Sequence, residues 1–324
     1  MPKVSVVMPV YNAQKYLSRA FIGLMEQSLD DVEFIIIDDG STDSSLEIIQ
    51  GILSQYPNRK NQVVIISREN KGVAASRAEG VCNATGDYVI HHDSDDWADP
   101  DWLSLMYSTA LTESADIVVC DYSIVTNRNT KSVIQNIKAS GVECAKLLLS
   151  NEISNANWNK LIKLDFLRKF DINYSQGIDM GEDFLLSFKA FFFAKKVVKL
   201  DMPLYYYNMC NESSLTRKYS EKSFEDIQKL VYITERFIIE HNCEAEFIRF
   251  IAYFKLSVRA CFIYFSNNAI DVFYGIKLYP ESNRYLFKSK RNWLLKIHFL
   301  LFYLKLTPII NLIYFARKKY IKSI

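Results

Sequence analysis

Apolar residues in the first half of the chain alternate between two rhythms. Residues 4–8 form a short β-branched run. Over residues 13–27, Tyr16, Leu17, Ala20, Phe21, Leu24 and Met25 recur at helical spacing on one face. Residues 34–37 are wholly apolar, as a strand covered on both faces of a parallel sheet should be. Helical spacing returns over 42–53 and 72–83, and strand signals over 62–66, 88–91 and 117–120. This alternation predicts an α/β fold with a mostly parallel, Rossmann-like, doubly wound sheet. From about Tyr205 strand signals fade, and aromatic-rich helical stretches follow over 224–240, 245–265 and 292–315. The expected division is an α/β domain over 1–205 and a helical region over 206–324.

Composition narrows the class. A chain of 324 residues that is 49% hydrophobic can bury one large core and a smaller appendage. Its six cysteines are scattered without a CxxC pair, which argues against a zinc site or a disulfide framework and points to a reducing compartment. The N-terminus lacks the charged and then apolar pattern of a signal peptide, so a cytoplasmic location is expected. Acids are as prominent as bases over the first 200 residues, so nucleic acid is not an expected partner.

Ligands of open α/β sheets bind beyond the carboxyl ends of the strands. Three polar clusters fall at such ends: Pro9-Val10-Tyr11-Asn12, Asp38-Asp39-Gly40-Ser41-Thr42-Asp43 and Asp93-Ser94-Asp95-Asp96. Asp43 or Thr42 either caps the next helix or belongs to a site. Asp38 and Asp39, directly at a strand end, are placed to accept hydrogen bonds from a base or a ribose, with Tyr11 stacking across the crevice. Asp93 and Asp95, at i and i+2, can direct oxygens at one hard cation, or form only a solvated acidic turn. No GxGxxG or GxxxxGK[ST] loop is present to cradle phosphates. A bound nucleoside diphosphate would therefore need another positive centre, such as a cation on Asp93 and Asp95 assisted by Arg77 or Lys71. Glu182 and Asp183 open an apolar helical run. They either answer the helix dipole or supply a proton acceptor. His91 and His92 adjoin the acidic turn and are weak candidates for a neighbour of the cation.

The motifs VSVVMPVYNAQKYL, IIIDDGSTDSS, NKGVAASRAEG, GDYVIHHDSDDW and MGEDFLLSFK, in this order, resemble the family 2 inverting glycosyltransferases with the GT-A fold. WNKL at 158–161 and the YYY…SSLT segment at 205–216 resemble the bacterial polysaccharide-building members. The resemblance implies that Pro9, Tyr11 and Asp39, with Asp38 beside them, hold the base and ribose of a nucleotide-sugar donor, a UDP-sugar. Arg77 would approach the diphosphate. Asp93, followed by Ser94, would face the donor sugar and ribose. Asp95 would bind Mg²⁺ or Mn²⁺, and Asp183 would be the base, with Glu182 orienting it or binding acceptor. Ala78 departs from the asparagine common after that arginine. The implied acceptor is a glycan or a polyprenyl-diphosphate-linked oligosaccharide. Competing readings are a non-catalytic nucleotide-sugar-binding subunit and a haloacid-dehalogenase-like phosphatase, the latter opposed by Gly40 where a second Asp is required.

The C-terminal tail adds a further expectation. Ten Lys and Arg lie between Arg284 and Lys322 with no acid among them. The apolar stretch 293–315 is interrupted by Lys296, His298, Lys305 and Pro308, which disfavours a spanning helix. A peripheral position on the anionic inner face of the cell membrane is expected.

Overall fold

The computed structural model describes residues 1–175, 177–211, 219–265, 269–289, 293–304 and 306. The SSLT part of the segment at 205–216 and the tail beyond 306 lie outside the described residues, as do the expectations placed on them. The chain divides into two compact units, one of residues 1–148 and 152–214 and one of residues 149–151 and 215–324.

The first unit opens with β1 (Val4–Val10), α1 (Gln14–Met25), β2 (Val32–Asp38), α2 (Ser45–Leu53), β3 (Val63–Ser67), α3 (Val73–Asn83) and β4 (Tyr88–His91). Each element follows from its residues. The β-branched and apolar runs of β1 and β2 are buried on both faces. Helix α1 turns Leu17, Ala20, Phe21, Leu24 and Met25 into the core at the spacing of its apolar face. Helix α3 lies so close to β1 that a methyl group at Gly80 would meet Val7 Cγ1 at 2.2 Å. No larger residue fits there without moving the strand.

Strands β3, β2, β1 and β4 are consecutive and parallel. Their register pairs Val10 with Asp38 and Asp38 with Ser67, so the polar segments after these strands emerge along one rim. Beyond β4 the sheet is mixed. The chain forms β5 (Trp97–Ala98), α4 (Trp102–Glu113), β6 (Ile117–Val125), β7 (Thr130–Val133), α5 (Gly141–Leu149), β8 (Lys160–Lys163), α6 (Leu164–Lys169), α7 (Glu182–Phe193) and β9 (Val197–Asn208). Strand β8 inserts antiparallel between β4 and β6, β9 runs parallel to β6, and β5 and β7 pair antiparallel at the margins. The added strands escape a pattern reading for physical reasons. Strand β8 is four residues with a lysine at each end, and β9 carries Pro203 beside a break in its register with β6.

The second unit is helical: α8 (Glu221–Glu240), α9 (Glu244–Phe265), α10 (Ala269–Lys277) and α11 (Trp293–Tyr303). Ser220 caps α8 by accepting from the Ser223 amide at 3.2 Å. Leu256, Ala260, Ile263, Val272, Ile276, Leu286 and Phe299 form the unit's buried cluster. Among the described residues no helix is long and apolar enough to cross a membrane.

Candidate active site

The rim begins as a set of loops tied to one another. Asn12, at φ 48°, donates its amide to Ser41 Oγ at 3.0 Å, and its side-chain oxygen accepts from the Thr42 amide at 2.8 Å. Asp43 accepts from the Gln14 amide at 3.0 Å and the Ser45 amide at 3.0 Å, so it caps both α1 and α2. Gly40, at φ 76°, brings the loop within van der Waals reach of the Arg68–Asn70 backbone, where a Cβ would sit 2.9 Å from the Asn70 nitrogen.

Asp38 and Asp39 are buried, and the protein engages both oxygens of each. Asp38 accepts from the Ser41 amide at 3.1 Å and from Ser67 Oγ at 2.7 Å. Asp39 accepts from the Lys71 and Gly72 amides, each at 2.9 Å, where α3 begins, and pairs with Arg68 at 2.6 Å. Any hydrogen bond from a base or ribose would therefore use their remaining lone pairs. Tyr11 is 54% exposed on this rim, and Pro9 is half-buried in β1 opposite Ile37. Lys71 is exposed, and its backbone amide is what holds Asp39.

The acidic turn after β4 is held from three sides. The Asp93 amide donates to the Tyr205 hydroxyl at 3.0 Å. Asp96 accepts from the Asn208 amide at 2.7 Å, and Asp95 accepts from Asn211 Nδ2 at 2.7 Å. Ser94 is half-buried within the turn. Tyr205 is itself locked by stacking on Trp158, with ring centroids 4.4 Å apart. Burial raises the Asp95 carboxyl above the ordinary range, with the charge of Asp93 adding to it, and Asp96 is raised further for the same reasons. His91 and His92 are both buried and held neutral by that burial, His92 down to about 4. His92 packs edge-on against Trp102 and Tyr205, and His91 Nε2 lies 2.9 Å from the Tyr174 hydroxyl.

Arg77 joins this turn to the start of α7. It is 5% exposed, and its guanidinium reaches Asp93 at 2.7 Å, Asp183 at 2.6 Å and Glu182. Its charge is thus spent on carboxylates of the protein. Gly181, at φ 88°, turns the chain into α7 so that both acids of the first turn face inward. Burial pushes the Glu182 carboxyl up to about 8; the Arg77 charge pulls it down and Asp183 pushes it up again. Asp183 is also raised, by burial first, with Arg77 opposing. One guanidinium against three carboxylates leaves surplus negative charge, which favours a proton or an added cation.

Further residues complete the site, among them Asn157, which the sequence did not single out, and Lys160 of the WNKL motif. Asn157 donates to Asp183 Oδ1 at 2.9 Å, and Asn208 and Asn211 hold the acidic turn. Lys160 is buried and donates to the carbonyls of Ser154 and Ala156 and to Asn159 Oδ1. Asn157 and Asn211 lie in irregular segments with no periodicity to betray them, Asn208 ends β9, and the sequence signal at Asn157 is polarity beside Trp158.

Among the described residues no group of three His, Cys, Asp or Glu side chains is arranged to hold a metal ion alone. A Mg²⁺-like ion needs fewer protein ligands when substrate phosphates and water supply the rest. Arg77 takes Oδ1 of Asp93 and Asn211 takes Oδ2 of Asp95, and among the described residues no other side chain is hydrogen-bonded to the second oxygen of either acid. Hard oxygen donors and surplus negative charge fit a divalent cation.

Comparison with known proteins identifies the family and the fold. EpsH of Bacillus subtilis (strain 168) is 31% identical over 248 residues, which cover 74% of this chain and 70% of that one. The cholesterol galactosyltransferase of Borreliella burgdorferi is 29% identical, covering 81% of this chain and 76% of its own. Other relatives are longer: the alignment spans 40% of the poly(ribitol-phosphate) beta-N-acetylglucosaminyltransferase TarS of Staphylococcus aureus. The crystal structure of TarS 1–349 in complex with UDP-GlcNAc superposes with a TM-score of 0.66 at 20% identity, over 86% of this chain and 77% of that one, which shows the GT-A fold. The family described as Glycosyl transferase family 2 matches residues 5–191, which contain the acidic turn, Arg77 and the Glu182–Asp183 pair. The chain therefore belongs to glycosyl transferase family 2.

Proposed function

We propose that this glycosyltransferase moves a hexosyl or N-acetylhexosaminyl group from a UDP-sugar to a hydroxyl of a glycan or polyprenyl-diphosphate-linked acceptor, with inversion, in surface polysaccharide synthesis. The observation that carries this reading is the bridge made by Arg77 between Asp93 and Asp183. It sets a carboxylate suited to the donor side and a carboxylate suited to the acceptor within the span of one guanidinium. The named substrates of TarS and of the cholesterol galactosyltransferase support a sugar nucleotide as donor and a hydroxyl as acceptor.

On this reading Pro9, Tyr11, Asp38 and Asp39 form the rim against the nucleoside, and Asp93 and Ser94 face the donor sugar. Asp183 Oδ1 accepts from both Arg77 and Asn157. Oδ2 has only the Asn157 amide at 3.4 Å, among the described residues, and is the oxygen placed to take the acceptor's proton. Glu182 shares Arg77 and keeps that charge from neutralising Asp183 entirely. Mg²⁺ or Mn²⁺ at Asp95 and Asp93 would supply positive charge to the leaving diphosphate.

The residues proposed for catalysis all lie before residue 205, and the helical region after it is proposed to meet an anionic membrane on the cytoplasmic side. Exposed Phe287, Leu300, Tyr303 and Leu304, with Lys288 and Lys296 in the same stretch, support that role. The test of the function is a panel of UDP-glucose, UDP-galactose, UDP-N-acetylglucosamine and UDP-N-acetylgalactosamine with Mg²⁺ or Mn²⁺. UDP release from at least one, and an α-to-β or β-to-α change in the product by NMR, is expected. Absence of UDP release and of thermal stabilisation across the panel would overturn the proposal.

A further inference from the structure

Asn157 lies in the irregular segment before β8, 26 residues from Asp183 in sequence. It is 1% exposed, and its whole amide is committed. Nδ2 donates to Asp183 Oδ1 at 2.9 Å and to the Tyr174 hydroxyl at 2.7 Å, while Oδ1 accepts from Ser187 Oγ at 2.7 Å. These partners fix which way the amide points. Turned over, its oxygen would face the Asp183 carboxylate, acceptor against acceptor, and the Ser187 hydroxyl would be left to the more distant Asn155 carbonyl at 3.1 Å. The Tyr174 hydroxyl, having accepted from Asn157, also lies 2.9 Å from His91 Nε2, a bond whose donor depends on the His91 tautomer.

The segment that carries Asn157 is anchored independently. Lys160 sends Nζ back to the carbonyls of Ser154 and Ala156, both in the segment that leads into Asn157. Ser187 stands four residues after Asp183 on α7, so helical spacing puts both on the face that meets this amide. Asp183 is therefore gripped at one oxygen by a charged donor from α3 and by a neutral donor that is itself held in a single orientation. Arg77 alone, shared among three carboxylates, does not select one rotamer of Asp183.

We infer that Asn157, oriented by Ser187 and Tyr174, is a positioning residue that aims Oδ2 of Asp183 at the acceptor hydroxyl. The inference rests on the assignment of Asp183 as the base. A misplacement of about 1 Å at a reacting group costs on the order of a hundredfold in rate. Removing the grip should therefore lower kcat without disturbing the donor.

The experiment compares the wild type with Asn157→Leu, Asn157→Asp, Tyr174→Phe and Asp183→Asn, using the UDP-sugar chosen from the panel above and following UDP release. Both Asn157 variants are expected to lose on the order of a hundredfold in kcat, with donor KM within about twofold. Tyr174→Phe frees one side of the amide and should lose roughly tenfold. Thermal melting identifies a variant that fails to fold. Should Asn157→Leu do so, the near-isosteric Asn157→Asp and Tyr174→Phe carry the test. A purely packing role would lower melting temperature and raise donor KM along with any loss of kcat. Folded Asn157 variants with wild-type kcat, or with a loss confined to KM, would overturn the inference while Asp183→Asn remains inactive. Normal turnover by Asp183→Asn would instead remove the assignment on which it rests.

Discussion

Arg77 Nη1 stands 2.6 Å from Asp183 Oδ1, a contact that spans 106 residues of chain. It ties the helix after β3 to the helix that carries the proposed base, and most of the site's charge balance passes through it. Removing the guanidinium leaves buried carboxylates without their counter-charge, at a cost of about 3–5 kcal/mol. Arg77→Met should therefore lower the melting temperature by on the order of 10 °C and abolish turnover. Arg77→Lys, which cannot fork between Asp93 and Asp183, should recover stability in part and activity little. Calorimetric melting beside UDP release separates the two, and a stable, active Arg77→Met would contradict the bridge's importance.

Asp183→Asn removes a proton acceptor at nearly constant volume. Donor binding by calorimetry with UDP should survive, while transfer falls by roughly a hundredfold or more. If the variant transfers sugar normally, Glu182 is the next residue to replace.

The Glu182–Asp183 pair gives activity and stability opposite dependences on pH. Asp183 must be ionised to accept a proton, and burial raises it, so kcat should climb with pH through a value above the ordinary Asp range. Glu182 has an ordinary value of 4.5 and stands at about 8 in the folded protein. Its folded form thus favours the proton. That contribution to stability is fully present below pH 4.5 and is lost as pH rises toward 8. Glu182→Gln should flatten the decline in melting temperature across that window. An unchanged slope would show that the carboxyl is ionised throughout.

Asp95→Asn should nearly abolish turnover, and EDTA should mimic it in the wild type. A single centre of this kind is worth several kcal/mol, hence on the order of a thousandfold in rate. Full activity in excess EDTA would remove the cation from the mechanism.

For the helical unit, the test is sedimentation with anionic liposomes at low salt. A chain ending at Leu306 is the appropriate comparison, because Leu286 and Phe299 belong to the unit's buried cluster and an earlier cut would break it. The cut removes Arg317, Lys318, Lys319 and Lys322 and keeps Phe287, Leu300, Tyr303 and Leu304, so liposome binding should fall without vanishing, with UDP release retained. A full-length chain that stays in the supernatant would rule out the membrane surface.

The parallel half of the sheet was legible because β1 to β4 are short apolar runs, each followed by a polar cluster, and the acids of the site sit where strands and helices begin or end. What was not legible depends on distance in sequence. Nothing local tells that Arg77 meets acids at 93, 182 and 183, or that Asp39 serves the start of α3 and not the helix that follows it. Asn157 and Lys160 acquire their roles only when the irregular segment before β8 is folded against α7. Helices α8, α9 and α11 fall on stretches that spacing marked as helical, whereas α10 does not, and β7, with its largely polar and exposed TKSV, carries no strand pattern.

The insertion of β8 between β4 and β6 has a consequence for how this chain is made. Strand β6 leaves the ribosome well before residues 160–163, yet its neighbour toward β4 is β8. Until that four-residue strand arrives, the nascent sheet exists as two pieces with open edges, and the edges of β4 and β6 expose unpaired backbone groups to other chains. Newly synthesised protein is therefore most vulnerable to aggregation over a definite interval of elongation, and a mutation that delays β8 would reduce yield without touching the chemistry.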